Sequence, residues 1–476
     1  MKNRVFISQK DNYQGNFGEV LRSSAIFYVI NSKTIKTTIS FSNYWKYKNN
    51  LDVCVILNLR NLRGKLFDRK LINFDDTDVC NYSPPKSFEG SVEVEVFSIV
   101  NMRIPYAAIM AVYEANNSIS MVHSYARIYS AHEIEEKRTI ADGEESCWTV
   151  RDTGDITSFA VIHNGATKQK KQKLKLGIRN STNAENIVEF EIGDLEPYET
   201  FVVEPKKYFH NIIDWLNGKP GNARISFKLN GSFTRMLCGN KANDESQFQI
   251  THSNFNYSIH KTDTIKEGDL NAYMLTPNIP DKFTQDVIVY PDTSNGEYLV
   301  KYDGSEVNFS TGEMVQISYK DCIGRELIFN RKDKILPTRI VTGLRINSSK
   351  HIIPAECSLG VVHHNRMNKH FHWMIVSEKF NSVVSWVEFN EVYGDCPNNA
   401  EFVFKIYSPN QKEAVEKKYL RCELPDNKKI NLCKIFDESI ELKDKFGCLT
   451  VWCSYGGLMV FSSLEKKESF SIEHSF

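Results

Sequence analysis

The chain has 476 residues, of which 41% are hydrophobic and 25% are charged, and its 59 basic residues equal its 59 acidic residues. This length predicts several domains, and a net charge of zero disfavours a dedicated nucleic-acid-binding protein. The modest content of Gly and Pro, 24 and 14 residues, excludes a fibrous or low-complexity chain.

The N-terminal segment 1–37 contains no apolar stretch typical of a secretion signal, and we treat it as a lead-in to the first domain. The most apolar stretch, 104–113, is shorter than the roughly 20 residues that a membrane helix requires. The 11 cysteines are an odd number and form no CxxC pair, which is typical of reduced thiols. We therefore expect a soluble cytoplasmic protein without membrane insertion, with non-classical export as the alternative.

Alternating apolar residues recur along the chain, and this period of two predicts strands with one buried face. Helical periodicity is confined to short segments such as 209–216 and 436–445. The clearest alternating runs are 53–59, 92–97, 174–178, 188–192 and 402–406. The sequence therefore predicts an all-β protein.

Three segments share one pattern, in which a glycine is followed by strand-like runs and then by the dipeptide His-Ser. The distance from glycine to histidine is 33, 31 and 27 residues for Gly90, Gly221 and Gly447. The closing dipeptides are His123-Ser124, His252-Ser253 and His474-Ser475. Because a repeated pattern identifies a repeated structural unit, we predict three related units, each the size of an immunoglobulin-like β-sandwich.

The repeats set the predicted domain boundaries. The three β-sandwich units cover 38–130, 151–262 and 380–476, and an acidic linker covers 131–150. The segment 263–379 contains strand-like runs separated by Asn-Gly and Asp-Gly turn signals, so we interpret it as a diverged β region. The predicted fold is a tandem array of immunoglobulin-like β-sandwich domains, with three related units and one diverged region.

The repeated histidines have two interpretations. A histidine at the end of a strand commonly satisfies a buried carbonyl or packs against a neighbouring domain, and a ligand-binding site is the alternative. Residues that are repeated in tandem domains usually serve the common fold. We therefore interpret the histidines of the His-Ser dipeptides as structural.

A second group of histidines lies in the segment 359–376. If 365–369 is a hairpin loop, His364 lies opposite His370, and His372 follows on the same face. Three imidazoles would then supply nitrogen ligands for zinc and leave a fourth position open for water. We interpret the segment in the first place as a structural His-rich hairpin. A metal site formed by these three residues, with zinc as the expected metal, and a polyanion or phosphate contact are the alternatives.

The sequence lacks the GxGxxG, GxxxxGK[ST] and GxSxG motifs of nucleotide-binding sites and nucleophile elbows. We therefore expect no catalytic residues, and favour a non-catalytic binding or scaffold protein that recognises a glycan or a protein partner. Self-association is a further option, and exposed tryptophans would form a sugar platform. The alternative is a metal-dependent hydrolase that uses the three-histidine site on the 359–376 hairpin.

Overall fold

The structure is a computed structural model, and its described part consists mainly of antiparallel strands. The described residues are 21–74, 78–102, 104, 108–123, 127–129, 142–228, 236–255, 271–291, 296–319, 324, 326–334, 336–337, 340–363, 369–436 and 440–475. No helix in these ranges is long and apolar enough to cross a membrane. The α-helices are α1 (Tyr44–Asn49), α2 (Pro205–Tyr208), α3 (Ile212–Leu216), α4 (Asn390–Tyr393) and α5 (Leu432–Phe436). The all-β prediction is confirmed.

The first sandwich contains nine strands in two layers. They are β1 (Arg22–Asn31), β2 (Lys36–Ser42), β3 (Val53–Asn61), β4 (Leu66–Ile72), β5 (Val79–Tyr82), β6 (Phe88–Ser98), β7 (Ile109–Glu114), β8 (Ile119–His123) and β9 (Arg127–Tyr129). One layer has the order β4-β3-β6-β1-β9 and the other the order β5-β2-β7-β8. Val55, Leu57 and Leu59 alternate along β3 and are buried between the layers, as a period of two predicts.

The second sandwich repeats this arrangement. Its strands are β10 (Asp142–Val150), β11 (Ile156–His163), β12 (Gln169–Arg179), β13 (Glu185–Leu195), β14 (Thr200–Val203), β15 (Gly221–Lys228), β16 (Leu237–Ala242), β17 (Phe248–His252) and β18 (Asn254–Phe255). The two sheets have the orders β13-β12-β15-β10-β18 and β14-β11-β16-β17. Apart from the pairing of β1 with β2 at Asn31 and Lys36, each strand has the same neighbours as its counterpart in the first sandwich.

The third sandwich lies in the segment predicted as a diverged β region. Its strands are β19 (Ala272–Leu275), β20 (Thr284–Val289), β21 (Glu297–Tyr302), β22 (Ser305–Ser310), β23 (Val315–Tyr319), β24 (Glu326–Arg331), β25 (Val341–Asn347), β26 (Ala355–Gly360) and β27 (Val362–His363). Its sheets have the orders β22-β21-β24-β19-β27 and β23-β20-β25-β26. The segment thus keeps the strand order of the first two sandwiches.

The fourth sandwich has the same order without a ninth strand among the described residues. Its strands are β28 (Phe371–Ser377), β29 (Asn381–Glu388), β30 (Glu401–Tyr407), β31 (Val415–Leu420), β32 (Lys429–Asn431), β33 (Phe446–Cys453), β34 (Leu458–Lys466) and β35 (Ser469–His474). The sheets are β28-β33-β30-β31 and β32-β29-β34-β35. The four tandem sandwiches agree with the predicted multidomain sandwich fold, and the immunoglobulin-like connectivity within each sandwich stays a prediction.

Three strands lie outside the sandwich units that were predicted to contain them. β1 lies in the predicted lead-in, β10 occupies the second half of the predicted acidic linker, and β28 lies in the predicted diverged region. Residues 131–141 of that linker lie outside the described residues. In the structure, β28 pairs with β33 and therefore belongs to the fourth sandwich.

The glycines that open the first two sequence repeats have a common structural reason. Gly90 begins the close approach of β6 to β3, and a Cβ atom at this position would lie 2.0 Å from the carbonyl oxygen of Arg60. In the second sandwich, a Cβ at Gly221 would lie 2.6 Å from the carbonyl oxygen of Arg179. A glycine therefore allows β6 to pair closely with the end of β3, and β15 with the end of β12.

The four sandwiches meet along one edge strand from each. β8 contacts β17, β17 contacts β26, β26 contacts β35, and β35 contacts β8. Hydrogen bonds between β8 and β17 join residues that are 130 positions apart, and those between β8 and β35 join residues 350 apart. A constant offset means that these three strands run in the same direction. The four edge strands form a closed ring, which we call the junction.

Serine side chains hold neighbouring strands of the junction together. Ser118 Oγ accepts a hydrogen bond from the backbone nitrogen of Phe248 (2.8 Å) and donates one to its carbonyl (3.1 Å). Ser120 makes the same pair of bonds to Ile250. Between β35 and β8, the backbone nitrogens of Ile119 and Met121 donate to the hydroxyls of Ser469 (3.1 Å) and Ser471 (2.8 Å). These hydroxyls satisfy buried backbone groups that would otherwise remain unpaired.

Candidate metal centre

Three histidines come together at the end of the junction where its strands finish. His123, His252 and His474 are the last residues of β8, β17 and β35. One ring nitrogen of each lies within 4.8 Å of those of the other two. The His123 ring meets the other two edge to face, at centroid distances of 4.4 Å from His252 and 5.0 Å from His474. The structure therefore brings together the three histidines of the repeated His-Ser dipeptides.

Each of the three imidazoles has an oxygen atom next to its Nδ1. His123 Nδ1 lies 3.1 Å from Oε2 of Glu473, and His252 Nδ1 lies 3.0 Å from the carbonyl oxygen of Ser253. His474 Nδ1 lies 3.4 Å from the carbonyl oxygen of Ser475. A carbonyl oxygen can only accept, so Nδ1 is the protonated nitrogen of His252 and His474. In the same tautomer, His123 carries its proton on Nδ1, which faces the carboxylate of Glu473.

The third sandwich contributes Cys357 to the surroundings of this cluster. Cys357 lies in the middle of β26 and pairs with Leu344 of β25, whereas the three histidines end their strands. Its Sγ lies 3.8 Å from Oε2 of Glu473, the oxygen that also contacts His123. β26 contains no His-Ser dipeptide.

The cluster is largely shielded from water. The exposed fraction is 3% for His123 and His252 and 1% for Cys357 and Glu473, while His474 is half-buried. Burial and the neighbouring Glu473 carboxylate raise the pKa of the Cys357 thiol well above its usual value. Imidazole nitrogens and a thiol are the donors that structural zinc sites use, and a catalytic zinc would need a position open to water. The arrangement suits a closed site better than a catalytic one.

Among the described residues, β27 and β28 do not pair with each other. β27 pairs with β19, and β28 pairs with β33. His364 lies outside the described residues, so the site of His364, His370 and His372 stays a prediction. His370 Nδ1 lies 2.8 Å from the carbonyl oxygen of Cys453, and His372 Nδ1 lies 2.8 Å from Oγ of Ser475. Both of these described histidines therefore contact structural partners on other strands.

His372 and Lys369 lie in the surroundings of the junction. Burial, followed by the positive charge of Lys369, lowers the pKa of His372 well below its usual value, so the ring is neutral. Burial, with repulsion by Lys48, lowers the pKa of Lys369 to about 7. The Lys369 ammonium donates to the carbonyl of Ser475 (3.0 Å), the same serine that His372 contacts. Both residues thus position the chain that follows His474.

The tryptophans do not form a common surface. Trp45, Trp148, Trp373 and Trp386 are almost completely buried. Trp452 has an exposed fraction of 39% and stacks on His370 at a centroid distance of 6.4 Å. The sugar platform expected from the sequence is therefore reduced to isolated side chains.

A groove of about 580 Å³ lies between the third and fourth sandwiches. Its lysines pair with acidic residues that also line it. Lys282 pairs with Glu465, and Lys429 lies 3.1 Å from Asp281. Since these charges compensate each other, they stabilise the contact between the two sandwiches.

The amino-acid sequence matches no known protein-family model and no curated protein.

Proposed function

We propose that the chain is a non-catalytic scaffold of tandem β-sandwiches that associates with a protein partner, in the first place a second copy of itself, through the edge strand β4. The observation that carries this proposal is the exposure of two large apolar side chains on that strand. Phe67 and Leu71 each have an exposed fraction of 63%. They lie four residues apart, with a register shift of the β3–β4 pairing next to Phe67, and the Phe67 ring also contacts Phe88 at a centroid distance of 5.3 Å.

The backbone of β4 is suited to adding another strand. Among the described residues, β4 pairs with β3 on one side and ends the sheet on the other. An edge strand that exposes apolar side chains is a template for pairing with another chain. In such β-augmentation, main-chain hydrogen bonds provide affinity, and the alternating side chains provide specificity. Two copies of β4 can pair antiparallel across a two-fold axis, because such an interface uses the same patch on both partners.

The corresponding edge strands of the second and fourth sandwiches expose smaller fractions of their apolar side chains. Ile187 of β13 and Leu420 of β31 are 44% and 41% exposed, compared with 63% for Phe67 and Leu71. Charged residues lie on all of these strands, and β4 itself carries Asp68, Arg69 and Lys70. The larger apolar exposure therefore favours β4 over these two strands as the association surface.

The burial of most tryptophans favours a protein partner over a glycan within this proposal.

We also propose that the protein is located in the cytoplasm. The nine cysteines whose side chains are described are all free thiols, which supports a reducing compartment.

Sedimentation velocity of the purified protein over a range of micromolar concentrations tests the proposal. We expect a concentration-dependent dimer for the wild type and a monomer for Phe67→Lys with Leu71→Lys. The matched control is Ile187→Lys with Leu420→Lys, which changes exposed apolar residues on β13 and β31 and keeps the dimer. A wild-type protein that is monomeric throughout, or a dimer that survives the β4 substitutions, would overturn the proposal. A glycan array would then test the other class of partner.

A further inference from the structure

We propose that the junction binds one zinc ion through His123, His252 and His474, and that Cys357 completes the coordination. Zinc accepts imidazole nitrogens at about 2.0–2.1 Å, so the nitrogens of a tetrahedral site are about 3.3 Å apart. The three ring nitrogens already lie within 4.8 Å of one another. Small rotations of the rings are enough to close them around an ion.

The Nδ1 contacts give the three rings the tautomer that a metal needs. A histidine that donates its Nδ1 proton to an oxygen presents the lone pair of Nε2 as a ligand. Histidine ligands of metals almost always make such an outer hydrogen bond to a carboxylate or a carbonyl. Glu473 provides the carboxylate for His123, and the carbonyls of Ser253 and Ser475 serve the other two rings.

The fourth ligand that we propose is Cys357, which the junction strand of the third sandwich places next to Glu473. Its Sγ lies 3.8 Å from Glu473 Oε2, the oxygen that contacts Nδ1 of His123. A thiol becomes a zinc ligand by losing its proton, which passes to solvent when the metal binds. Three nitrogens and one sulfur complete a tetrahedron with no position left for water, which is the composition of a structural site.

This metal would connect all four sandwiches, because each of them supplies one ligand. Together with the serine hydrogen bonds, the metal would hold the four edge strands of the junction in contact. The inference is independent of association through β4, since none of the four ligands lies on that strand.

The test is metal binding by the purified full chain after treatment with a chelator. Titration with Co²⁺, which reports coordination through its visible absorption, should saturate at one equivalent with the intense bands of a tetrahedral ion. A sulfur-to-cobalt charge-transfer band should accompany them. Zinc should displace the cobalt and raise the midpoint of thermal unfolding, because a ligand that binds only the folded state stabilises it.

Variants assign the ligands. His474→Ala, at the half-buried position, should weaken binding at least tenfold, and Cys357→Ser should remove the charge-transfer band. Glu473→Gln should weaken binding by about 10–100-fold, as expected for an outer-shell partner. The control His163→Gln changes a buried histidine of the second sandwich and should leave binding unchanged. Circular dichroism of each variant verifies folding.

Two results would overturn the assignment. The first is a wild-type protein that takes up no stoichiometric Co²⁺ or Zn²⁺, which would make the cluster a purely hydrogen-bonded junction. The second is binding that is lost in His370→Ala with His372→Ala and retained in His474→Ala. That result would place the metal at the site predicted on the 359–376 segment.

Discussion

His123 Nδ1 lies 3.1 Å from Oε2 of Glu473, although 350 residues of sequence separate the two side chains. The contact connects the first sandwich with the fourth. The same separation of 350 relates Ile119 to Ser469 and Met121 to Ser471. The first and last sandwiches therefore meet along a strand in constant register.

The serine contacts of the junction predict a specific loss of stability. Ser120→Ala removes both hydrogen bonds to Ile250 and leaves a buried backbone N–H and C=O unpaired. An unsatisfied buried group costs about 1–3 kcal/mol, so we expect the free energy of unfolding to fall by about that amount. Urea denaturation followed by circular dichroism measures the change. Ser305→Ala on the exposed strand β22 is the control, and an equal loss in both variants would contradict the prediction.

The close approach at Gly90 predicts a larger effect. A Cβ atom there would overlap the carbonyl oxygen of Arg60, so β6 and β3 would have to separate. We expect Gly90→Ala to lower the free energy of unfolding by at least about 3 kcal/mol or to prevent folding. A Cβ at Gly154 meets no atom within 4 Å, and Gly154→Ala should be neutral to within about 0.5 kcal/mol. Similar soluble yields and denaturation midpoints for the two variants would show that β6 tolerates the methyl group.

The buried ring of His163 predicts a dependence of stability on pH. Nδ1 of His163 contacts Thr200 Oγ1 at 3.0 Å, and burial lowers the pKa of His163 to about 3. In the unfolded chain the ring takes up a proton near pH 6.5, so the unfolded state binds more protons below that pH. This histidine therefore makes the folded state less stable as the pH falls from about 6.5 toward 3.

His163→Gln tests that assignment, because glutamine has no proton to gain in this range. We expect the urea midpoint of the variant to decrease less steeply with acidification than that of the wild type. The exposed His210 provides the control, and His210→Gln should keep the wild-type slope. Parallel curves for wild type and His163→Gln would exclude His163 as a source of the acid sensitivity.

The contact between Trp373 and Ser42 predicts that the first and fourth sandwiches stabilise each other. Trp373 Nε1 donates to Ser42 Oγ at 2.9 Å, and the ring packs edge to face on Tyr44 at a centroid distance of 6.2 Å. Trp373→Phe removes this hydrogen bond and part of the buried ring, and should lower the free energy of unfolding by about 1–3 kcal/mol. Trp452→Phe, on the neighbouring strand β33, changes a partly exposed ring and should cost less. A larger loss in Trp452→Phe would argue against the contact.

Local sequence patterns were sufficient for the strands and for the number of related units in most of the chain. The alternation at Val55, Leu57 and Leu59 reflects burial on one face of a strand, which is a property of adjacent residues. The third sandwich was recognised only as a β region because its junction strand β26 carries no His-Ser dipeptide. Its strand order depends on pairing between distant segments, which a local pattern does not contain.

The candidate site could be predicted only in part. The repetition of His123, His252 and His474 identified the residues, but their convergence depends on the closure of four sandwiches into a ring. The hairpin at 359–376 was inferred from proximity in sequence, whereas β27 pairs with β19, about 90 residues earlier. Both arrangements depend on contacts between segments that are distant in sequence.

The separation of β8 and β35 by 350 residues affects synthesis of the protein. β8 obtains its second neighbour in the junction only after Ser469–His474 has left the ribosome. At roughly 5–20 residues per second, the intervening 350 residues take roughly 20–70 s to translate. During that time the first sandwich carries an apolar edge that its own strands do not cover. A nascent chain that stops before β35 would retain this edge and be a substrate for chaperones and proteases.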